Sequence, residues 1–108
     1  MGNWKNLGNR VYCEKADDGT YSFATLAKCD DKFSMIRSKV NLSWYQKDQI
    51  EEACRFYKYD GNDEEQIAMY VFMYYIARKY NKGGELEIYA TFSSFEFASN
   101  MLHELVDN

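Results

Sequence analysis

The chain contains no proline and one histidine, and its three cysteines never fall in a Cys-x-x-Cys pair. Without proline, cis-proline turns and polyproline segments are excluded. A structural zinc site takes four ligands, usually as two short-spaced pairs. Cys13, Cys29, Cys54 and His103 do not supply that pattern. Unpaired, reduced cysteines are expected instead. A hairpin turn at Asp18-Gly19 sets Cys13 opposite residues 23–25 rather than Cys29, and Cys54 falls in a helical segment. No stretch reaches the ~18 apolar residues of a membrane span. The opening residues lack the apolar core of a signal peptide, and Asn6 stands where a myristoylation site needs Ser or Thr. The expectation is a cytoplasmic protein without membrane contact, cofactor or metal.

Aromatic residues are abundant. Ten Tyr, seven Phe and two Trp make up 18% of the 108 residues, within an otherwise ordinary mix of 46% hydrophobic and 28% charged residues. Tyr keeps its hydroxyl in water while its ring packs, so such a chain suits a selective, adhesive surface as well as a core. Charge is divided unevenly. Residues 1–40 hold seven Lys/Arg and five Asp/Glu, a balance of +2, whereas residues 41–108 hold six and twelve, a balance of −6. The acidic half disfavours a broad nucleic-acid surface, which needs clustered positive charge. Lys28, Lys32, Arg37 and Lys39 read as a solvated strand face.

The pattern predicts an α+β fold: an antiparallel sheet of about four strands with three helices, in the order β-β-β-α-α-β-α, as a single domain over residues 1–108. Residues 1–9 read as a loose arm tethered by Trp4 and Leu7. Alternation over residues 10–16, the Asp17–Thr20 turn, residues 21–28 and residues 33–42 give a three-strand meander. Ser43, with Gln46 three residues on, predicts the first helix start, and Asn62 or Asp63 the second. From Ile67 to Ala77 there are eleven residues without a charge, preceded by Asp63-Glu64-Glu65 and followed by Arg78-Lys79, in the order a helix dipole favours. This helix, expected to reach Tyr80, is apolar or aromatic all round. It therefore needs cover on most sides, and Tyr70, Phe72, Met73, Ile76 and Ala77 are expected among the most buried residues. Gly83-Gly84 marks its end, residues 85–92 alternate as a fourth strand, and Ser93 or Ser94 caps the last helix. All helices are expected on one face of the sheet.

No catalytic constellation emerges. Ser99, His103 and Asp107 recur every four residues along one helix face, which makes neither a pocket nor an oxyanion hole. Glu51/Glu52 and Glu85/Glu87 do not face each other across a cleft as glycosidase carboxylates must. Asp60 to Glu65 lacks calcium-loop spacing, Gly83-Gly84 sits in the wrong context for a phosphate loop, and Cys54 reads as packing rather than nucleophile.

The sequence thus points to a non-enzymatic, acidic protein-binding module. Its partner is another protein with a basic, often nucleic-acid-handling face, and the effect is inhibition, as in immunity proteins, antitoxins and phage anti-defence proteins. Tyr59, Asp60, Asp63, Glu64 and Glu65 are the expected partner contacts. The alternatives are a self-assembling homodimer covered by the apolar helix, and a small-molecule binder or enzyme with a pocket between sheet and helices.

Overall fold

The computed structural model describes residues 4–8, 10–29, 32–78, 88–92 and 95–107. Their strands are β1 (Lys5–Asn6), β2 (Tyr12–Lys15), β3 (Tyr21–Cys29), β4 (Lys32–Val40) and β5 (Ile88–Phe92), and their helices α1 (Lys47–Phe56), α2 (Glu64–Phe72) and α3 (Phe95–Asp107). The architecture is α+β, with an antiparallel sheet in the order β1-β2-β3-β4-β5. β1 is a two-residue addition inside the segment expected to be a loose arm, pairing Lys5 with Cys13 and Asn6 with Tyr12. Trp4 and Leu7 flank it and pack on different core clusters.

The β2–β3 turn follows from Gly19, whose φ of +89° a side chain would resist, and from Asp18, which accepts a hydrogen bond from the Thr20 N–H at 2.9 Å. Cys13 consequently lies opposite Phe23. Of the two sheet edges open to the fourth strand, beside β2 or beside β4, β5 takes the second. It pairs Phe33 with Phe92 and Met35 with Ala90, then shifts register so that Ile36 meets Ile88. Residues 79–87, 93 and 94 lie outside the described set, and with them the expected glycine stop, the start of the fourth strand and the last helix cap.

The helices occupy both faces of the sheet, not one as the sequence suggested. Tyr21, Phe23 and Val40 point to the face that carries α2, where they join Val71 and Phe72 in one buried cluster. Ala24 and Met35, of opposite parity, pack with Leu102 of α3 on the other face. Both faces of β3 and β4 are thus apolar near their middles, which a single helical layer would leave half wet. α1 packs chiefly against α2 and the turn that follows it, and its Ala53 joins the same buried cluster as Val71 and Phe72.

α1 starts three residues later than Ser43 predicts. Asn41 instead caps a short 3-10 turn over Leu42–Trp44, accepting from the Ser43 N–H, and the α-helix begins after Gln46. The Gln46 N–H donates to Gln49 Oε1 at 2.7 Å, which is the reciprocal arm of a capping box moved along the chain. Asp63 caps α2, accepting from the N–H groups of Glu65 and Gln66 at 2.9 and 3.2 Å.

α2 runs on into a π turn over Met73–Ala77, closed by the Arg78 N–H donating to the Met73 carbonyl. The extra residue in that turn rotates everything after it. This corrects the expected burial. Ala68, Met69, Val71 and Phe72 are the buried positions, whereas Tyr70, Met73, Ile76 and Ala77 are only half-buried. Phe72 alone of the five expected residues is fully enclosed, its ring stacked on Phe23 with centroids 4.9 Å apart and planes 13° apart.

Candidate functional site

The α1–α2 layer carries a continuous run of aromatic rings. Its order in space is Tyr45, Tyr75, Tyr74, Phe56, Tyr57, Tyr70, Tyr59, with successive centroids 5.6, 4.9, 5.0, 4.9, 5.3 and 5.1 Å apart. Three local features assemble it. The close of α1 delivers Phe56 and Tyr57 side by side. Lys58, in the left-handed region at φ +57°, turns the chain so that Tyr59 folds back toward α2. The π turn then brings Tyr74 and Tyr75 onto α1.

These rings are not fully enclosed, although Tyr45, Tyr70, Tyr74 and Tyr75 pack on the margin of the main core cluster. Phe56 remains 52% exposed, and Trp44, next to Tyr45 in the chain, 60%. The six tyrosines of the run are half-buried. The Tyr75 hydroxyl is held between the Gln49 carbonyl at 2.9 Å and Glu52 Oε2 at 3.0 Å, and donates to one of them. Burial, with the Glu52 carboxylate beside it, pushes its pKa up to about 12. Burial also raises Tyr45 and Tyr57, Arg78 partly opposing it at Tyr57. The Arg78 guanidinium itself lies over the Phe56 ring at 4.5 Å and the Tyr74 ring at 4.6 Å, so the run already holds one cation on its faces.

At the Tyr59 end a groove of about 580 Å³ opens between α1 and the chain entering α2. Ile50, Cys54, Ile67 and Tyr59 line it, with Glu51, Arg55, Lys58 and Asp60 also contributing to the wall. A Cβ on Gly61 would collide with the Tyr59 hydroxyl and ring, so that glycine is what lets the tyrosine close this wall. Cys54 is half-buried in the groove, and its thiol is raised by burial, away from the thiolate a nucleophile needs.

The expected contact residues divide into two kinds. Asp60 is exposed on the groove, and Tyr59 is half-buried, its ring tilted on Tyr70 and its hydroxyl accepting from the Asp63 N–H at 3.1 Å. Asp63 is engaged as the α2 cap, and Glu65 pairs with Lys5 at 2.8 Å. Glu64 is exposed beside Tyr21, whose hydroxyl is pushed up to about 12, first by burial and then by that carboxylate. The structure therefore keeps Tyr59 and Asp60 on the aromatic face and ties Asp63 and Glu65 into the fold. Sequence reasoning missed Trp44, Tyr45, Phe56, Tyr57, Tyr74 and Tyr75. The four-residue spacings of Glu52 with Phe56 and Tyr70 with Tyr74 were the signal for them, because such pairs share a helix face.

Elsewhere, His103 is exposed on α3. Among the described residues no group of three or more His, Cys, Asp or Glu is placed to hold a metal ion, and no helix is long and apolar enough to cross a membrane. Cys13 and Cys54 are not in disulfides, and Cys13 is buried, its thiol pushed up to about 12 mainly by desolvation. Comparison with protein families, with curated proteins and with solved structures found no match to this chain.

Proposed function

We propose that the protein is a non-enzymatic module that binds another protein through the aromatic face of α1 and α2. The observation that carries this reading is the seven-ring run left half-open to solvent, with Phe56 52% exposed within it and the exposed Trp44 beside Tyr45 in the chain. A cluster of stacked, tilted and edge-on rings bounded by charge has the composition of an interface centre.

The border favours a basic partner. Residues 41–78 carry seven Asp/Glu against four Lys/Arg, so the layer has a net charge of −3. That field speeds encounter with a positive surface and repels phosphate. A cytoplasmic inhibitor that covers the working face of a nucleic-acid-handling protein, of the immunity, antitoxin or anti-defence kind, fits this charge. Tyr59 and Asp60 would lie in the contact, while Asp63, Glu64 and Glu65 contribute chiefly to the field.

Quantitative affinity capture in the native host tests the reading, using the wild type against folded Trp44→Asp and Phe56→Asp variants. The expected result is a basic protein retained by the wild type and lost by both variants. Equal capture by all three refutes this face as the contact. A wild-type dimer in light scattering that both variants abolish would replace the reading with homodimerisation.

A further inference from the structure

The binding face has a polarity that suggests what it recognises. Arg78 shows that a guanidinium fits this run of rings, because it lies over both Phe56 and Tyr74 within 4.6 Å. Beyond Tyr74 the run continues through Tyr75 to Tyr45, whose rings stack at 5.6 Å with 28° between their planes. Trp44, the most exposed large apolar residue described, precedes Tyr45 in the chain.

This end also carries negative charge. Asp48 and Glu52 sit one helical turn apart on α1 and so share a side. Glu52 reaches the Tyr75 hydroxyl at 3.0 Å, which places its carboxylate at the edge of that ring. Among the described residues neither Asp48 nor Glu52 forms an ion pair. Lys47 adjoins Asp48 and Arg55 lies three residues from Glu52, but neither is within ion-pair distance of these carboxylates.

We infer that the Trp44–Tyr45–Tyr75 end of the face, with Asp48 and Glu52, is a docking site for an arginine side chain presented by the partner protein. This rests on the protein-binding reading above and names the group that reading leaves open. A planar guanidinium stacks on a Tyr or Trp face and at the same time donates in parallel to a carboxylate, which an ammonium does not reproduce. The partner's arginine would thus repeat, between molecules, the ring contact Arg78 makes within this one, and add the carboxylate.

The test titrates the full-length protein with three synthetic peptides of one design, carrying arginine, lysine or citrulline at the same positions. Calorimetry gives affinity and amide NMR the site. The expected result is binding of the arginine peptide, several-fold weaker binding of the lysine peptide, and none of the citrulline peptide. Shifts should centre on Trp44, Tyr45 and Glu52. Trp44→Ala, Tyr45→Leu and Glu52→Gln, each checked for native folding, should each weaken the arginine peptide by about 3- to 30-fold, the range of a cation–π or ion-pair contact. Glu104→Gln on α3 should leave it unchanged. Equal affinity for all three peptides, absent binding of the arginine peptide, or shifts centred elsewhere would overturn the arginine site. The protein-binding reading fails separately, if a captured partner is held equally by the Trp44→Asp and Phe56→Asp variants.

Discussion

Replacing Phe72 with Ala should remove the centre of the fold. Phe72 is fully enclosed and lies flat on Phe23, which is itself fully enclosed and stacks at 6.1 Å on Tyr21. These three rings join α2 to β3. Phe-to-Ala changes in cores cost about 3–5 kcal/mol, through lost transfer energy and the cavity left behind. The stacked partner adds ~0.5–1.5 kcal/mol of specific contact, which places this site toward the upper part of that range. A domain of this size has about 5–15 kcal/mol in total, so the variant should be marginal. At roughly 4–8 °C per kcal/mol its melting temperature should drop by about 15 °C or more. Urea titration followed by circular dichroism is the assay, with the midpoint falling and the slope retained. Trp44→Ala is the internal control. Its side chain is 60% exposed, so the change should stay within about 0.5 kcal/mol. A Phe72→Ala cost below ~1 kcal/mol, or one matched by Trp44→Ala, would refute the assignment of core and surface.

Asp63→Ala should cost about 0.5–2 kcal/mol through loss of the α2 cap, with Asp63→Asn restoring most of it; if Asn is no better than Ala in thermal melts, the capping role is wrong. Gly61→Ala should destabilise by about 1–3 kcal/mol by driving Tyr59 from its place. In a Tyr59→Ala background the same change should be nearly silent, and a double-mutant cycle showing additivity would contradict the steric account. Alkaline pH should unfold the protein early. Cys13, Tyr21 and Tyr75 are each held at about 12, above ordinary values of 9.0, 10.0 and 10.0, so the folded state keeps protons that the unfolded chain releases. The stabilisation is complete below pH 9 and is lost between pH 9 and 12. Melting temperature against pH should show that decline, Tyr75→Phe should shrink it, and a flat profile across the window would rule it out.

The α+β class and the element order were legible because the hydrophobic period changes from two to nearly four after Leu42, and turn residues punctuate the strands. The Asp18-Gly19 turn set Cys13 opposite residues 23–25, and the observed partner is Phe23. Other features were not legible. Ser43 looked like a helix cap because its motif resembles a capping box, yet Asn41, two residues earlier, captured its N–H and closed a 3-10 turn instead. The second helical layer was hidden because Ala24 is too small to announce a buried face, and only the matching burial of Met35 and Leu102 reveals it. The π turn has no residue signature, so the phase of Met73 to Ala77 could not be read from the spacing of apolar residues. For the same reason the candidate site was seen as an acidic group near Tyr59. The rings that extend it are brought together by that turn and by the reversal at Lys58.

The difference in burial between these two aromatic systems gives the functional argument its force. Tyr21, Phe23 and Phe72 form a closed stack between sheet and helix. The seven-ring run borders that cluster, with Tyr45, Tyr70, Tyr74 and Tyr75 packed on its margin, and its members are only partly covered. If the outer rings served stability alone, full burial of phenylalanine would stabilise more than half-burial of tyrosine, since each exposed part of a ring forfeits about 25 cal/mol per Å². Tyrosine at six of the seven positions keeps a polar hydroxyl at the water boundary while the ring face stays available. The Tyr75 hydroxyl fixes its ring against α1 through Gln49 and Glu52, and the Asp63 N–H fixes Tyr59 through its hydroxyl. Tyr59 at one end and Tyr75, next to Tyr45 at the other, are thereby held in place before any partner arrives, which would lower the ordering cost of association. On the proposed reading, this surface of rings, bounded by carboxylates and already carrying one guanidinium, would serve recognition as well as packing.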